Sequence, residues 1–229
     1  MRKASKSHPH WEVPAEYLVM SRYEPLNHTG QQQAAFRDHL LHALQAPETF
    51  DVSFLRSFPL PIILDYLYRT HDYYLGQRLD EIEQSVDRLI HQHGTDFPAL
   101  QLLRTVFERY QSGMRTHVQE EETVLFPYLA YIYECYQYGE RYARRSRPVP
   151  AACRLEDFSH PASSHAIEEA LDLLMETLLH RYPVLAELMS FDVLRTQLDA
   201  MNRDLELHEQ VENDVLIPVA MQLLAQMGM

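Results

Sequence analysis

Glycine is scarce, with six in 229 residues, while Leu, Gln, Glu and Arg are frequent. That balance favours helix over sheet. Cysteine is scarcer still. Cys135 and Cys153 are the only two, and they form no C-x-x-C motif. A basic surplus is also missing: the net charge is −13, which argues against nucleic acid as the main partner, because phosphate binding needs a basic face. No apolar run reaches the length that crosses a bilayer, so no membrane partner is expected. The start of the chain, Met1-Arg2-Lys3-Ala4-Ser5-Lys6-Ser7, is basic but is followed by no apolar segment of the secretory type. A cytoplasmic location with both thiols reduced is therefore expected.

The residues that are plentiful set the fold. Hydrophobic side chains make up 46% of the chain, sufficient for a substantial core. Residues 1 to about 15 contain two prolines, Pro9 and Pro14, and read as peripheral. A short helix is expected from Gly30 to Ala46. A first long helix opens at Leu60 or Pro61, with Leu64, Leu67, His71, Leu75, Leu79, Ile82, Val86 and Leu89 on one stripe. It stops near Gly94, a good C′ residue. Asp96 and Pro98 then suit the cap and first turn of a second long helix. Its stripe is Leu103, Val106, Tyr110, Gly113 or Met114, His117, Glu121, Val124 and Tyr128. The Arg- and Pro-rich stretch from Arg141 to Pro150 reads as a linker. A third helix starts near Pro161 and ends near Tyr182-Pro183. The fourth runs from about Phe191 or Asp192 to about Gln226, with Leu194, Met201, Leu205, His208, Glu212, Val215 and Val219 on one face. Four long helices joined by turns and loops point to an all-α fold, an up-down four-helix bundle over residues 60–229. A short, partly helical N-terminal extension covers residues 1–59.

Thirteen histidines invite a search for metal ligands. Two stretches echo each other: His117-Val118-Gln119-Glu120-Glu121, leading to Pro127, and His208-Glu209-Gln210-Val211-Glu212, leading to Pro218. At a spacing of four, an imidazole and a carboxylate share one helical face. Both pairs lie on apolar stripes, where a free carboxylate would be costly to bury. A bound cation compensates that charge. His71 adds a third imidazole. It precedes Gly94 by about as many residues as His117 follows it, so the two should stand at one height in a hairpin. Imidazole and carboxylate together suit Fe, Mn or Zn. On the third helix two histidines compete for one ligand position. His165 has the better spacing from His208 but shares its face with Glu168, Glu169 and Asp172. His160 continues the apolar stripe of Ile167, Ala170 or Leu171, Leu174 and Leu178 but directly precedes Pro161. Both stay open.

At these residues the chain resembles the hemerythrin-like (HHE cation-binding) domain, and more narrowly the iron–sulfur cluster repair di-iron proteins. The pattern shared is a His on the first helix (His71), His-x-x-x-Glu on the second (His117, Glu121), a His on the third and His-x-x-x-Glu on the fourth (His208, Glu212). The resemblance spans roughly residues 60 to 226. It implies two iron ions, with Glu121 and Glu212 bridging, four terminal histidines and an oxo or hydroxo bridge. It further implies a stress protein that aids repair of iron–sulfur clusters or supplies iron, with damaged iron–sulfur proteins as partners and oxygen or nitric oxide as a small ligand. A sensing module for those gases, or a di-iron reductase of nitric oxide or peroxide, are the alternatives. The repair family's N-terminal Cys-Cys pair is absent, since residues 1–59 hold no cysteine. The His-x-x-x-His pair of oxygen-carrying hemerythrins is absent too. Gly113, one turn before His117, and Tyr74 and Tyr110, near the expected metal level, are further candidates for shaping the site.

Overall fold

In the computed structural model, the residues described are 30–45, 51–146, 148–150, 154–155, 158 and 162–228. For residues 30, 44–45 and 162–169 the backbone alone is described. Among the described residues every regular element is helical, and no helix is long and apolar enough to cross a membrane. α1 spans Gly30–Gln45. A 3₁₀ segment at Val52–Ser57 follows, opened by Asp51, whose carboxylate accepts from Ser53 N–H at 2.9 Å. α2 (Leu60–Tyr73) and α3 (Leu79–His93) form one rod interrupted by a π-helical turn at Tyr74–Arg78. α4 (Gln101–Glu120) and α5 (Phe126–Tyr138) do the same around Glu121–Leu125, as do α8 (Met189–Val211) and α9 (Ile217–Met227) around Glu212–Leu216. α7 spans Ala162–Arg181.

Several local expectations need correction. The Arg-rich stretch is not all linker. Gly139, at φ 85°, ends α5, and a short helix α6 (Glu140–Ser146) follows with Ala143 buried. Arg144 closes an i,i+4 pair onto Glu140 at 2.6 Å, which favours that extra turn. Gly94 keeps right-handed helical angles and is no left-handed cap. Its lack of a Cβ matters for space, because a methyl there would fall 2.5 Å from the Ile90 carbonyl oxygen. Asp96 does not cap the next helix: Phe97 stands at the N-cap, without a side-chain bond, and Pro98 opens a 3₁₀ turn. Along α4–α5 the core position after Glu121 is Leu125, 1% exposed, whereas Val124 is 38% exposed. On α7 the described buried positions are Leu171, Met175 and Leu178, while Ala170 is exposed.

Two of the three π turns have a cause in the sequence. Pro127 and Pro218 have no N–H, so neither can bond the carbonyl four residues back. The preceding residue donates one residue further back instead, Phe126 N–H to Glu121 O and Ile217 N–H to Glu212 O. The carbonyl that Pro218 leaves unbonded, Asp214 O, accepts from Arg56 Nε at 2.5 Å. The 3₁₀ segment is therefore stitched to the fourth rod at that turn.

Packing divides the apolar interior in two. One cluster joins α3, α4, α7 and the first half of α8 through Leu79, Leu89, Leu103, Phe107, Leu178 and Met201. The other joins α1, the 3₁₀ segment, α2, α5 and α9 through Phe36, Leu55, Leu67, Phe126, Val215 and Ala220. Between them lies a band of buried polar side chains: Thr70, His71, Glu121, His208 and Glu212. Leu55, fully buried, packs the N-terminal segment into the second cluster. Leu55→Ala should destabilise the chain by about 2–5 kcal/mol, read as a shift in the urea midpoint. A loss below about 0.5 kcal/mol would mean that the segment is not part of the core.

Candidate metal centre

His71 comes from the last turn of α2, Glu121 from the π turn after α4, and His208 and Glu212 from the end of α8 and its π turn. All four are buried, and one donor atom from each lies within 4.8 Å of the others. The two imidazoles meet through Nε2, 3.2 Å apart. Glu121 Oε2 stands 3.2 Å from His71 Nε2, and Glu212 Oε1 stands 3.3 Å from His208 Nε2. His117 reaches the same carboxylate from the other side, with Nε2 3.1 Å from Glu121 Oε1. It is the outer member of the group, its side chain 22% exposed. The two oxygens of Glu121 thus serve imidazoles from two different helices.

Hydrogen bonds fix the orientation of both buried rings. Thr70 Oγ1 has a single proton, which it donates to Leu67 O at 2.9 Å. It therefore accepts from His208 Nδ1–H at 2.7 Å, leaving His208 Nε2 with its lone pair towards the cluster. His71 Nδ1–H donates to Glu122 Oε1 at 3.1 Å. Burial and the neighbouring cationic His71 push His208 down to about 3, so it stays neutral. Burial would lower His71 as well, but the carboxylates of Glu121 and Glu122 outweigh it and raise His71 to about 9. In the metal-free chain His71 is thus an imidazolium whose Nε2–H donates to His208 Nε2. Burial raises Glu212 to about 7, and it raises Glu121 with help from the Glu212 charge. Burial lowers His117.

This donor set fits a cation. Glu121 Oε2 and Glu212 Oε1 are buried and face imidazole nitrogens without a well-formed hydrogen bond. Buried acceptors in that condition are costly unless something positive joins them. Two nitrogens and two carboxylate oxygens converging at this spacing suit a borderline divalent or trivalent ion such as Fe, Mn or Zn. Each buried imidazole also has an acceptor on its far nitrogen, as metal-bound histidines generally do.

Of the candidate ligands, His71, Glu121, His208 and Glu212 come together, and His117 touches the group through Glu121. His160 lies outside the described residues. His165 lies on α7, but its side chain is not among those described. Tyr74 is buried with its ring 5.7 Å from His208, and its hydroxyl donates to Asp204 O at 3.2 Å. Tyr110 is buried and stacked on Phe107 at 5.9 Å. Gly113 is half-buried, as is the free thiol of Cys135; Cys153 lies outside the described residues. Sequence reasoning missed Thr70, Glu122 and Tyr66, whose ring lies 6.3 Å from His208. Thr70 and Glu122 each sit next to a candidate ligand in the chain, the one signal that could have marked them. Neither a family model, nor a curated protein, nor a solved structure matches this chain.

Metal uptake should release protons, because the ligands must be deprotonated to bind. Both Glu212 and His71 are raised, so each holds its proton below its folded value and loses it above, at about 7 and about 9. Titrating the metal-free chain with zinc in weak buffer should release about two protons per chain at pH 6, falling towards about one at pH 8. A pH-indicator dye reads this directly. Uptake with no proton release at pH 6 would contradict the charge assignment.

Proposed function

We propose that this chain is a non-haem di-iron protein of hemerythrin-like architecture that acts in the response to nitrosative or oxidative damage. It aids repair of iron–sulfur clusters or supplies iron to them, within the cytoplasm. The observation that carries the reading is the split of Glu121, with one oxygen towards His71 and the other towards His117, inside a buried group completed by His208 and Glu212. A carboxylate so placed is disposed to bridge two ions, which is the arrangement di-iron bundles use. His71 and His208, with Glu212, supply the inner position. His117 begins the outer one, which His160 or His165 would complete.

The up-down four-helix arrangement belongs to the same proposal. It is supported by the packing of α3 on α4 and α8, and of α4 on α7. The three rods that carry described ligands also each have a π turn at the ligand level, and such turns are frequent at functional sites.

A bound iron pair supplies one-electron exchange and open positions for oxygen or nitric oxide. The chain's own residues hold and orient it. Thr70 and Glu122 set the imidazole tautomers, Phe126 and Tyr74 flank the rings, and the two apolar clusters keep water from the inner position. Damaged iron–sulfur proteins are the proposed partners. Repair is distinguished from gas sensing and from reductase turnover by restored activity of a damaged iron–sulfur dehydratase.

Protein purified from iron-replete medium should carry about two irons per chain, with near-ultraviolet bands of a bridged ferric pair. His71→Ala and Glu121→Ala should each abolish the pair. Recovery of the chain without iron, or with a single zinc, would overturn the di-iron reading.

A further inference from the structure

Glu121 and Glu122 are consecutive, and consecutive residues on a helix normally face different ways. Here both reach the same imidazole. Glu121 Oε2 stands at 3.2 Å from His71 Nε2, and Glu122 Oε1 accepts from His71 Nδ1–H at 3.1 Å. The two carboxylates lie where the π turn opens, and they grip opposite nitrogens of one ring. Phe126, just after the same turn, stacks on that ring at 5.5 Å with planes 12° apart. Two residues of one π turn on the second rod, with the phenylalanine that follows it, therefore define the position, plane and tautomer of a ligand on the first.

The environments of the two carboxylates differ sharply. The Glu121 side chain is 2% exposed, that of Glu122 26%. Glu122 stays on the outer side, where water solvates its charge while it holds Nδ1. The other buried ligand ring, His208, is held by a neutral hydroxyl, that of Thr70. The two rings thus have unequal partners. An anionic acceptor makes an imidazole a stronger electron donor than a neutral one does, and such outer partners tune both metal affinity and potential.

Resting on the metal reading above, we infer that Glu122 is a positioning residue: it locks His71 with Nε2 towards the metal and makes it the more strongly donating of the two buried imidazoles. Glu122 would not bind the metal itself. Its charge would stabilise the higher oxidation state of the ion that His71 holds, and the neutral Thr70 contact would contribute less to that preference. The adjacent acids in the run Glu120-Glu121-Glu122 then have distinct tasks: Glu120 is exposed, Glu121 is a ligand and Glu122 orients.

The test uses the full chain and its Glu122→Leu, Glu122→Gln and Thr70→Val variants. Ferrous iron is the probe, in anaerobic competition against a chelator. Glu122→Leu should weaken binding by about 10- to 100-fold, with Glu122→Gln closer to the parent because its amide oxygen still accepts from Nδ1–H. The midpoint potential of bound iron should rise in Glu122→Gln and move less in Thr70→Val, a difference that simple loss of packing would not produce. Binding by Glu122→Leu within twofold of the parent, or equal potentials across the set, would overturn the inference.

A second readout needs no metal. The Nδ1 proton of His71 should appear in the proton spectrum of the metal-free chain as a downfield, slowly exchanging signal. It should be retained in Glu122→Gln and lost in Glu122→Leu. Its absence from the parent, or its persistence in Glu122→Leu, would also overturn the inference. If the parent took up no iron yet showed this pattern, the metal reading would fall while Glu122 kept its positioning role.

Discussion

Two carboxylates buried beside imidazoles are the constraint on which the rest of this structure depends. Glu121 is 1% exposed and Glu212 7%. In an apolar interior such groups are strongly disfavoured as free anions. The protein answers by placing His71 among them as a cation, by keeping His208 neutral, and by arranging all four donors so that a metal ion can replace the shared proton. The polar band that results separates the interior into two apolar clusters. Helices α2, α4, α5 and α8 meet around it because each carries either a donor or a residue that packs on one.

The π turns connect that constraint to the sequence. Each His-x-x-x-Glu motif is followed by a proline six residues after its Glu, and that proline removes one helical hydrogen bond. The turn widens at Glu121 and again at Glu212, so the carboxylates sit at local irregularities and not within uniform helix. Within the first turn Leu125 is buried and Val124 exposed; the second turn has a further effect. It leaves the Asp214 carbonyl available, and Arg56 from the N-terminal segment bonds it. Residues far from the ligands in the chain are in this way tied to the turn that carries Glu212.

The long helices and four of the candidate ligands were legible in the sequence because they follow one-dimensional rules. Periodic Leu, Ile and Val mark a buried helical face, and His and Glu four apart share a side whatever the helix packs against. His71 was legible through the symmetry of a hairpin about Gly94. Short-range exceptions were less so. The helix at Glu140–Ser146 was hidden by its flanking prolines and high Arg content, although the Glu140–Arg144 pair supports it. Arg78, fully buried and bonded to Gln197 O at 3.2 Å, has no apolar signature that could have placed it in the core.

By itself, the sequence determined that the chain is helical, that two His-x-x-x-Glu pairs and His71 lie on apolar faces, and that buried charge there calls for compensation. Those properties depend on local spacing and composition. Only the tertiary structure decided that Glu121 divides its oxygens between His71 and His117. The same holds for the roles of Thr70 and Glu122 at the far nitrogens of His208 and His71, and of Arg56 at the π turn of Glu212. These contacts join residues 50 to 158 positions apart, apart from the Glu121–His117 pair within one rod. They depend on how rods cross and how far each turn is widened, and side-chain identity along one strand of sequence does not encode that geometry.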